Sequence, residues 1–396
     1  MDIKRMAQQY EKDVVAYRRW LHQHAENSWK EYETTAYIEE KLREIGLEPH
    51  RFDCGTGCWA LLEGAQCAEK TKTILLRADI DAMPGNDTKD VPYKSIHEGA
   101  VHSCGHDGHT AMLLCAAKVL FEIRDQFKGN VKLVFEPAEE LAQGGAYCVS
   151  QGVLEGVTAA FAIHMWDTIE QGKISIKEGP CMAGFCAFHI TVNGISNTCL
   201  PHKGGHAILA AAKVVENLQV IKTCFVDSFE EPTDITLGKI HGGYARNTMA
   251  SSVEIEGVVR TFYKGERTVL MNKIRQIAED SVKMYNCTAD VNVEPGIPAI
   301  SHDSKEMNQL TQNSARKVLG EKALCDERAS IGGDTFTNYM SVPGVYARLG
   351  TKVSDNPNCC YALHDDNYNM DDEFVLPRGT ELFVQVVLDY FNSEKF

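Results

Sequence analysis

Eight consecutive residues, His102-Ser103-Cys104-Gly105-His106-Asp107-Gly108-His109, put the tightest condition on how this chain folds. They crowd imidazoles, a thiol and a carboxylate together, with glycines that let the backbone turn back on itself. Further on, Pro137-Ala138-Glu139-Glu140 sets two adjacent carboxylates where the apolar run Val131–Phe135 ends. Imidazole and thiolate beside an uncommitted acid make the donor set of a catalytic divalent-metal site, in which some groups hold the ion and another moves protons. The chain reads as a metal-dependent hydrolase.

The order of elements offers a place for such a site. Residues 3–45 carry helical periodicity, and 59–62 and 73–78 read as strands. Residues 110–126 form an amphipathic pattern, with Met112, Leu113, Ala116, Val119, Leu120 and Ile123 as its apolar stripe. Strands follow at 131–135 and 159–163, the latter delivering His164 at its end. Strands alternating with helices predict an α/β domain around a mostly parallel sheet. Sites in such sheets form at the carboxyl ends of strands, where Asp79, Asp81, Glu139, Glu140 and His164 all fall.

From about residue 181 to 295 the texture changes. Strand 188–192, helix 207–222, strands 235–240 and 253–260, helix 266–285 and strand 287–293 give the ferredoxin-like order. At 396 residues the chain is too long for one ordinary core. The expected division is a catalytic domain over 1–180, an inserted α+β domain over 181–295, and the rest of the catalytic domain over 296–396.

Charge and cysteine usage narrow the partners. The 40 basic and 55 acidic residues leave −15, which argues against nucleic acid or an anionic membrane as the main partner. There is no long apolar run, and the first residues lack the apolar core of a signal peptide. The 14 cysteines are scattered, and a chain this size builds its core without disulfides, so a reduced, cytoplasmic protein is expected. A zinc nucleobase deaminase is excluded, because Pro180-Cys181 is followed by Gly184 where that site needs its second cysteine.

Further pieces complete a pattern: Leu21-His-Gln-His24, Arg77-Ala-Asp-Ile-Asp-Ala-Met-Pro84, Phe135-Glu-Pro-Ala-Glu-Glu140, Gly243-Tyr-Ala-Arg-Asn247, Val259-Arg-Thr-Phe262 and Leu363-His364. With the histidine-rich segment and His164, these resemble the amidohydrolases that include hippurate hydrolase, plant indole-acetyl-amino-acid hydrolases and N-acetyl-diaminopimelate deacetylase. That group sits within the wider aminoacylase/carboxypeptidase family of two-metal exopeptidases. The resemblance implies a zinc-exopeptidase-like catalytic domain and an inserted lid that also makes a homodimer. It further implies hydrolysis of the amide bond of an N-acyl amino acid or small dipeptide-like compound, with two divalent ions per chain. Zinc or manganese leads among these, and the donor set also allows cobalt or nickel.

Carried over residue by residue, the resemblance makes Cys104, His106, Glu140, His164 and His364 the metal ligands. A water bridging the ions is then the nucleophile, Glu139 its general base, and Asp81 the acid that orients that side of the site. Adjacent glutamates in an irregular turn point different ways, so one can bind metal while the other faces the water. His102 and His109 read as histidines bonded to a carbonyl or carboxylate behind the ligands, although either could itself be a ligand. Asp79 stands where relatives outside the subgroup carry a ligand histidine. Arg260 is implied as the clamp on the substrate carboxylate, a task that suits the planar guanidinium, and Asn247 as a lid asparagine.

Some positions depart from the pattern. Asn197 stands where a lid histidine normally reaches the partner subunit's site to meet the oxyanion. His206 replaces an aspartate and could supply a substitute cation. Ile331-Gly-Gly-Asp-Thr-Phe336 replaces Gly-Ser-Glu-Asp-Phe, and Glu136 replaces a glutamine beside the base. An intact metal cage with an altered substrate side implies an unusual substrate. A second reading follows from Asn197: a catalytically weakened, metal-binding homologue acting as a binder or subunit.

Overall fold

A computed structural model describes residues 3–65, 72–197, 200–229, 231–262, 267–294, 296–356 and 359–396. The chain forms two compact units. One comprises Met1–Cys181, Ser301–Arg328 and Thr335–Phe396, the other Met182–Ile300 and Ala329–Asp334.

The first unit is built on a seven-stranded sheet. Its order is Pro49–Arg51, Cys58–Glu63, Asn130–Glu136, Thr73–Asp79, Ala159–Glu170, Gly344–Lys352 and Ile174–Ser175. The four central strands, Asn130–Glu136 to Gly344–Lys352, run parallel, and the outer ones pair antiparallel. Every residue of Thr73–Asp79 is buried, as expected of a central parallel strand covered on both faces. Leu76, Leu133, Phe161 and Val345 share one core with Leu113 and Leu120 of helix His106–Glu122 and with Leu376 and Phe383 of helix Asp372–Phe391. The register sets Asp79 opposite Glu136, so two strand ends meet.

The second unit is a four-stranded antiparallel sheet in the order Thr233–Gly242, Ser252–Thr261, Gly184–Asn193 and Thr288–Val293. Burial alternates along Gly184–Asn193, the signature of a strand covered on one face. Phe188, Ile190 and Ile255 pack with Ala210 and Val214 of helix Ala207–Leu218 and with Leu270 and Ile274 of helix Arg267–Lys283. Chain order is the ferredoxin-like strand-helix-strand-strand-helix-strand, with the short helix Ile221–Cys224 added.

The structure sharpens the sequence expectation for one stretch and shifts it for two elements. The stretch 3–45 is three helices, Ile3–Gln9, Glu11–Gln23 and Tyr32–Ile45. The helix expected from residue 110 begins at His106, because Gly105 takes φ 85° and turns the chain into it. A side chain there would strain the backbone and sit 3.0 Å from the Met165 Cβ. The strand expected to stop at 163 runs on to Glu170, since its partner Gly344–Lys352 continues alongside. His164 therefore lies within the strand, opposite Arg348.

The first helices reach the histidine-rich turn through a buried polar network. Arg18 Nε donates to Asp107 Oδ2 at 2.8 Å, and Arg18 Nη2 to Asn369 Oδ1 at 2.9 Å. His22 lies between Asp107 Oδ2, 2.6 Å from its Nδ1, and Asp87 Oδ2, 3.1 Å from its Nε2. Burial works against the Asp107 charge, but Arg18 and His22 outweigh it and hold the carboxyl well below its usual range. Among the described residues no helix is long and apolar enough to cross a membrane.

Candidate metal centre

Four segments of the first unit bring the expected donors together. Cys104 Sγ lies 3.6 Å from His164 Nε2 and 3.3 Å from His364 Nε2. His106 Nε2 lies 3.7 Å from Glu140 Oε1, which is 4.0 Å from His364 Nε2. Donors about 2.1–2.3 Å from a tetrahedral ion stand roughly 3.4–3.8 Å apart, and the four spacings here, 3.3 to 4.0 Å, bracket that range. His106 Nε2 and Glu140 Oε1 are buried and have no hydrogen-bond partner among the described residues. Buried polar atoms are almost always paired, and a divalent ion would satisfy both. The residues fit the ions that the donor chemistry calls for.

The groups behind the donors aim them. His106 Nδ1 donates to the Asp81 carbonyl at 2.9 Å and has Asp81 Oδ1 at 3.3 Å, which leaves Nε2 facing the centre. His164 Nδ1 donates to the Met165 carbonyl at 2.6 Å, with the same effect. His364 has φ 72°, a strained conformation for a residue with a side chain, and its N–H is held by the Ser103 carbonyl at 2.8 Å. That left-handed turn carries its imidazole to Cys104.

Electrostatics describe a crowded site. Burial would lower His106, but Asp79 and Cys104 prevail and hold it well above its usual range. Burial pushes Glu140 up to about 7, with His106 pulling the other way and Asp81 adding to the rise. Burial, with Glu140, also drives the Cys104 thiol well up, and burial with His109 drives His164 well down. A divalent cation would offset the carboxylate and thiolate charges that these groups crowd together.

The two glutamates diverge. Ala138 and Ala142 take φ 51° and 56°, making an irregular turn around them. Gly144 packs so close to the Pro137 carbonyl that an added Cβ would collide with it. Glu140 N–H donates to Asp81 Oδ2 at 3.0 Å, while Glu139 Oε1 accepts the Thr335 N–H at 3.0 Å. Asp81 Oδ2 also takes the Ser28 hydroxyl at 2.7 Å.

His109 is bonded to a carboxylate, as expected of a histidine behind the ligands. Its Nδ1 lies 2.6 Å from Asp79 Oδ1, and its Nε2 accepts the Met165 N–H at 2.8 Å. His102 departs from that expectation. Neither of its nitrogens has a hydrogen-bond partner among the described residues, and burial lowers it to about 3. Arg77 Nη1 donates to Asp79 Oδ2 at 2.6 Å and its Nε to Glu136 Oε2 at 2.7 Å. Two departures from the family pattern, Glu136 and Thr335, are hydrogen-bonded to each other.

Sequence reasoning missed Glu31, and it marked Thr335 only as part of a departure from the family pattern, without a role. Glu31 Oε1 accepts the Ala138 N–H at 2.8 Å, and burial with Asp81 raises its carboxyl to about 7. Glu31 belonged to no motif, and Thr335 acts on Glu139 through its backbone amide, which residue type does not reveal.

The expected substrate-side residues belong to the second unit. Arg260 Nη1 donates to the Ile331 carbonyl at 3.0 Å. Asn197 Oδ1 accepts the Leu200 N–H at 2.8 Å, and Asn247 is exposed in the turn after strand Thr233–Gly242.

Comparison with known proteins gives concordant results. The sequence pattern of peptidase family M20/M25/M40 matches residues 75–389. N-acetyl-L-cysteine deacetylase of Bacillus subtilis (strain 168) is 35% identical over 343 residues, 86% of this chain and 81% of its own. N-acyl-L-amino acid amidohydrolase of Geobacillus stearothermophilus is 36% identical over 306 residues, covering 76% of this chain and 81% of its own. Among solved structures, the Bacillus subtilis YXEP protein, described as a dinuclear metal binding peptidase from the M20 family, superposes with a TM-score of 0.83. It is 28% identical, with 97% of this chain and 99% of that one covered.

Proposed function

The chain belongs to peptidase family M20/M25/M40, and from that premise we propose that it hydrolyses the amide bond of N-acyl amino acids or small dipeptide-like compounds, releasing the free amino acid. The convergence of Cys104, His106, Glu140, His164 and His364 carries this reading. These residues hold two divalent ions, with zinc or manganese the best suited. The names of the deacetylase and amidohydrolase relatives support the substrate class.

The ions, when bound, supply Lewis acidity that polarises the scissile carbonyl and makes water acidic enough to attack it. The chain's own groups do the rest. Glu139 takes the proton from the attacking water and returns it to the leaving nitrogen. The Thr335 N–H fixes one oxygen of that carboxylate, and Asp81 holds His106 and the backbone of Glu140 in place. Arg260 grips the substrate carboxylate, and Asn247 serves as the lid asparagine. Asn197 meets the oxyanion as a neutral donor, so turnover of simple acyl substrates is modest compared with a site that uses a cation.

The enzyme is a homodimer through its second unit, which acts as the lid. Strand Thr233–Gly242 is an edge strand, and Ile208, Leu209, Ile240 and Tyr244 of the same unit are exposed apolar side chains, a combination that favours pairing with another copy. We place it in the cytoplasm, in keeping with scattered cysteines in a chain long enough to build its core without disulfides.

A metal-loaded panel of N-acyl amino acids and dipeptides, with amine release as readout, tests the activity. In the same panel, Arg260→Ala should raise KM at least about tenfold while the metals stay bound, and amidating the substrate carboxylate should do the same to wild type. Insensitivity to both changes would mean that acyl amino acids are not the substrates.

A further inference from the structure

We propose that Thr335 is a positioning residue for Glu139, its hydroxyl wedged between Arg77 and Glu136 so that its backbone N–H stays on one oxygen of the base. The inference rests on the reading of Glu139 as general base.

Thr335 is completely buried and opens the short 3-10 turn Thr335–Tyr339. It is also the residue at which the chain returns to the first unit after Ala329–Asp334. Its N–H, at the head of the turn, reaches Glu139 Oε1 at 3.0 Å. Its hydroxyl accepts from Arg77 Nη2 at 2.9 Å and donates to Glu136 Oε1. Its carbonyl accepts from Asn338 Nδ2 at 2.9 Å. Glu136 is fixed in turn, its other oxygen taking Arg77 Nε at 2.7 Å and the Tyr339 hydroxyl at 2.9 Å.

The direction of these bonds matters. A hydroxyl has one proton, and here it goes to Glu136, so the firm hold on Glu139 is the backbone amide at 3.0 Å rather than the hydroxyl at 3.5 Å. Any residue could supply an amide. What threonine adds is a side chain that ties this peptide to two buried ion pairs that share Arg77, one with Glu136 and one with Asp79. A carboxylate acting as base works only if its oxygen is delivered within a fraction of an ångström, and the tie provides that constancy.

Thr335→Val removes the hydroxyl, keeps the shape and keeps the amide. It should lower kcat roughly 10- to 100-fold on the best substrate of the panel, with KM and metal content near wild type. Thr335→Ser, which restores the hydroxyl, should recover kcat to within about threefold of wild type. In a Glu139→Gln background Thr335→Val should change residual turnover less than about twofold, because the two act through one group.

A Thr335→Val enzyme with normal kcat, a serine variant as slow as the valine one, or an equal loss in the Glu139→Gln background would each overturn the proposal. Crystal structures of the two variants decide it without turnover. Glu139 should leave the residue-335 amide in the valine variant and keep it in the serine variant, and an unmoved carboxylate in both refutes the idea. Normal turnover of Glu139→Gln sinks the base assignment itself. A normal Thr335→Val beside an inactive Glu139→Gln sinks only the positioning.

Discussion

Glu139→Gln lowers kcat by about 10² or more while fold and bound metals are retained, because the attacking water loses its proton acceptor. The amide is nearly isosteric with the carboxylate and can still accept the Thr335 N–H, so the variant isolates proton transfer from packing. KM should move little, since substrate is gripped by other groups. Steady-state kinetics with elemental analysis of the same preparation measure all three quantities. Near-normal turnover with metal retained would send the search for the base to Asp81 or Glu136, and both are poorly placed. Asp81 is almost wholly buried, its Oδ2 takes the Ser28 hydroxyl and the Glu140 amide, and its Oδ1 faces His106 Nδ1 at 3.3 Å. Glu136 is sealed among Arg77, Tyr339 and Thr335. Glu139 sits at the margin of burial, 9% exposed, where a water and a substrate can reach it.

How far the sequence revealed this site depended on whether a signal was local. The grouping of Cys104, His106 and Glu140 was legible because thiol, imidazole and carboxylate were concentrated in two short segments, whereas His364 was named chiefly through the family resemblance. The ferredoxin-like unit was legible because a strand covered on one face alternates, as Gly184–Asn193 does. The parallel strand Thr73–Asp79 gave no such cue. With both faces buried, its sequence could not show that Arg77 and Asp79 turn toward Glu136 and His109. The hold of Thr335 on Glu139 spans 196 residues and runs through a backbone amide, which leaves no mark on residue type. His22 stood within the family pattern without an evident task, and its task is structural: it bridges Asp107 and Asp87 beneath the ligand turn.

Cys104→Ala should strip at least one of the two ions, and elemental analysis after gel filtration reads this directly. The sulfur lies 3.6 Å from His164 Nε2 and 3.3 Å from His364 Nε2, so on the proposed assignment its removal opens the side of the cage that joins them. Even groups that merely orient ligands cost about 10- to 100-fold in metal affinity when lost, and a direct donor should cost more. Full occupancy in the variant would remove Cys104 from the site. Acidity should act in the same direction. Against its burial, Asp79 and Cys104 hold His106 well above its usual range, and it must shed its proton before its nitrogen can bind a cation. Affinity therefore falls as pH drops through that raised pKa, and chelators should empty the wild-type enzyme faster in mild acid than at neutral pH. The alanine variant starts with a weaker cage and so loses its remaining ion at a higher pH than wild type does. A release profile identical in the two proteins would mean that the thiolate contributes nothing to holding the metals, whatever its distance from the histidines.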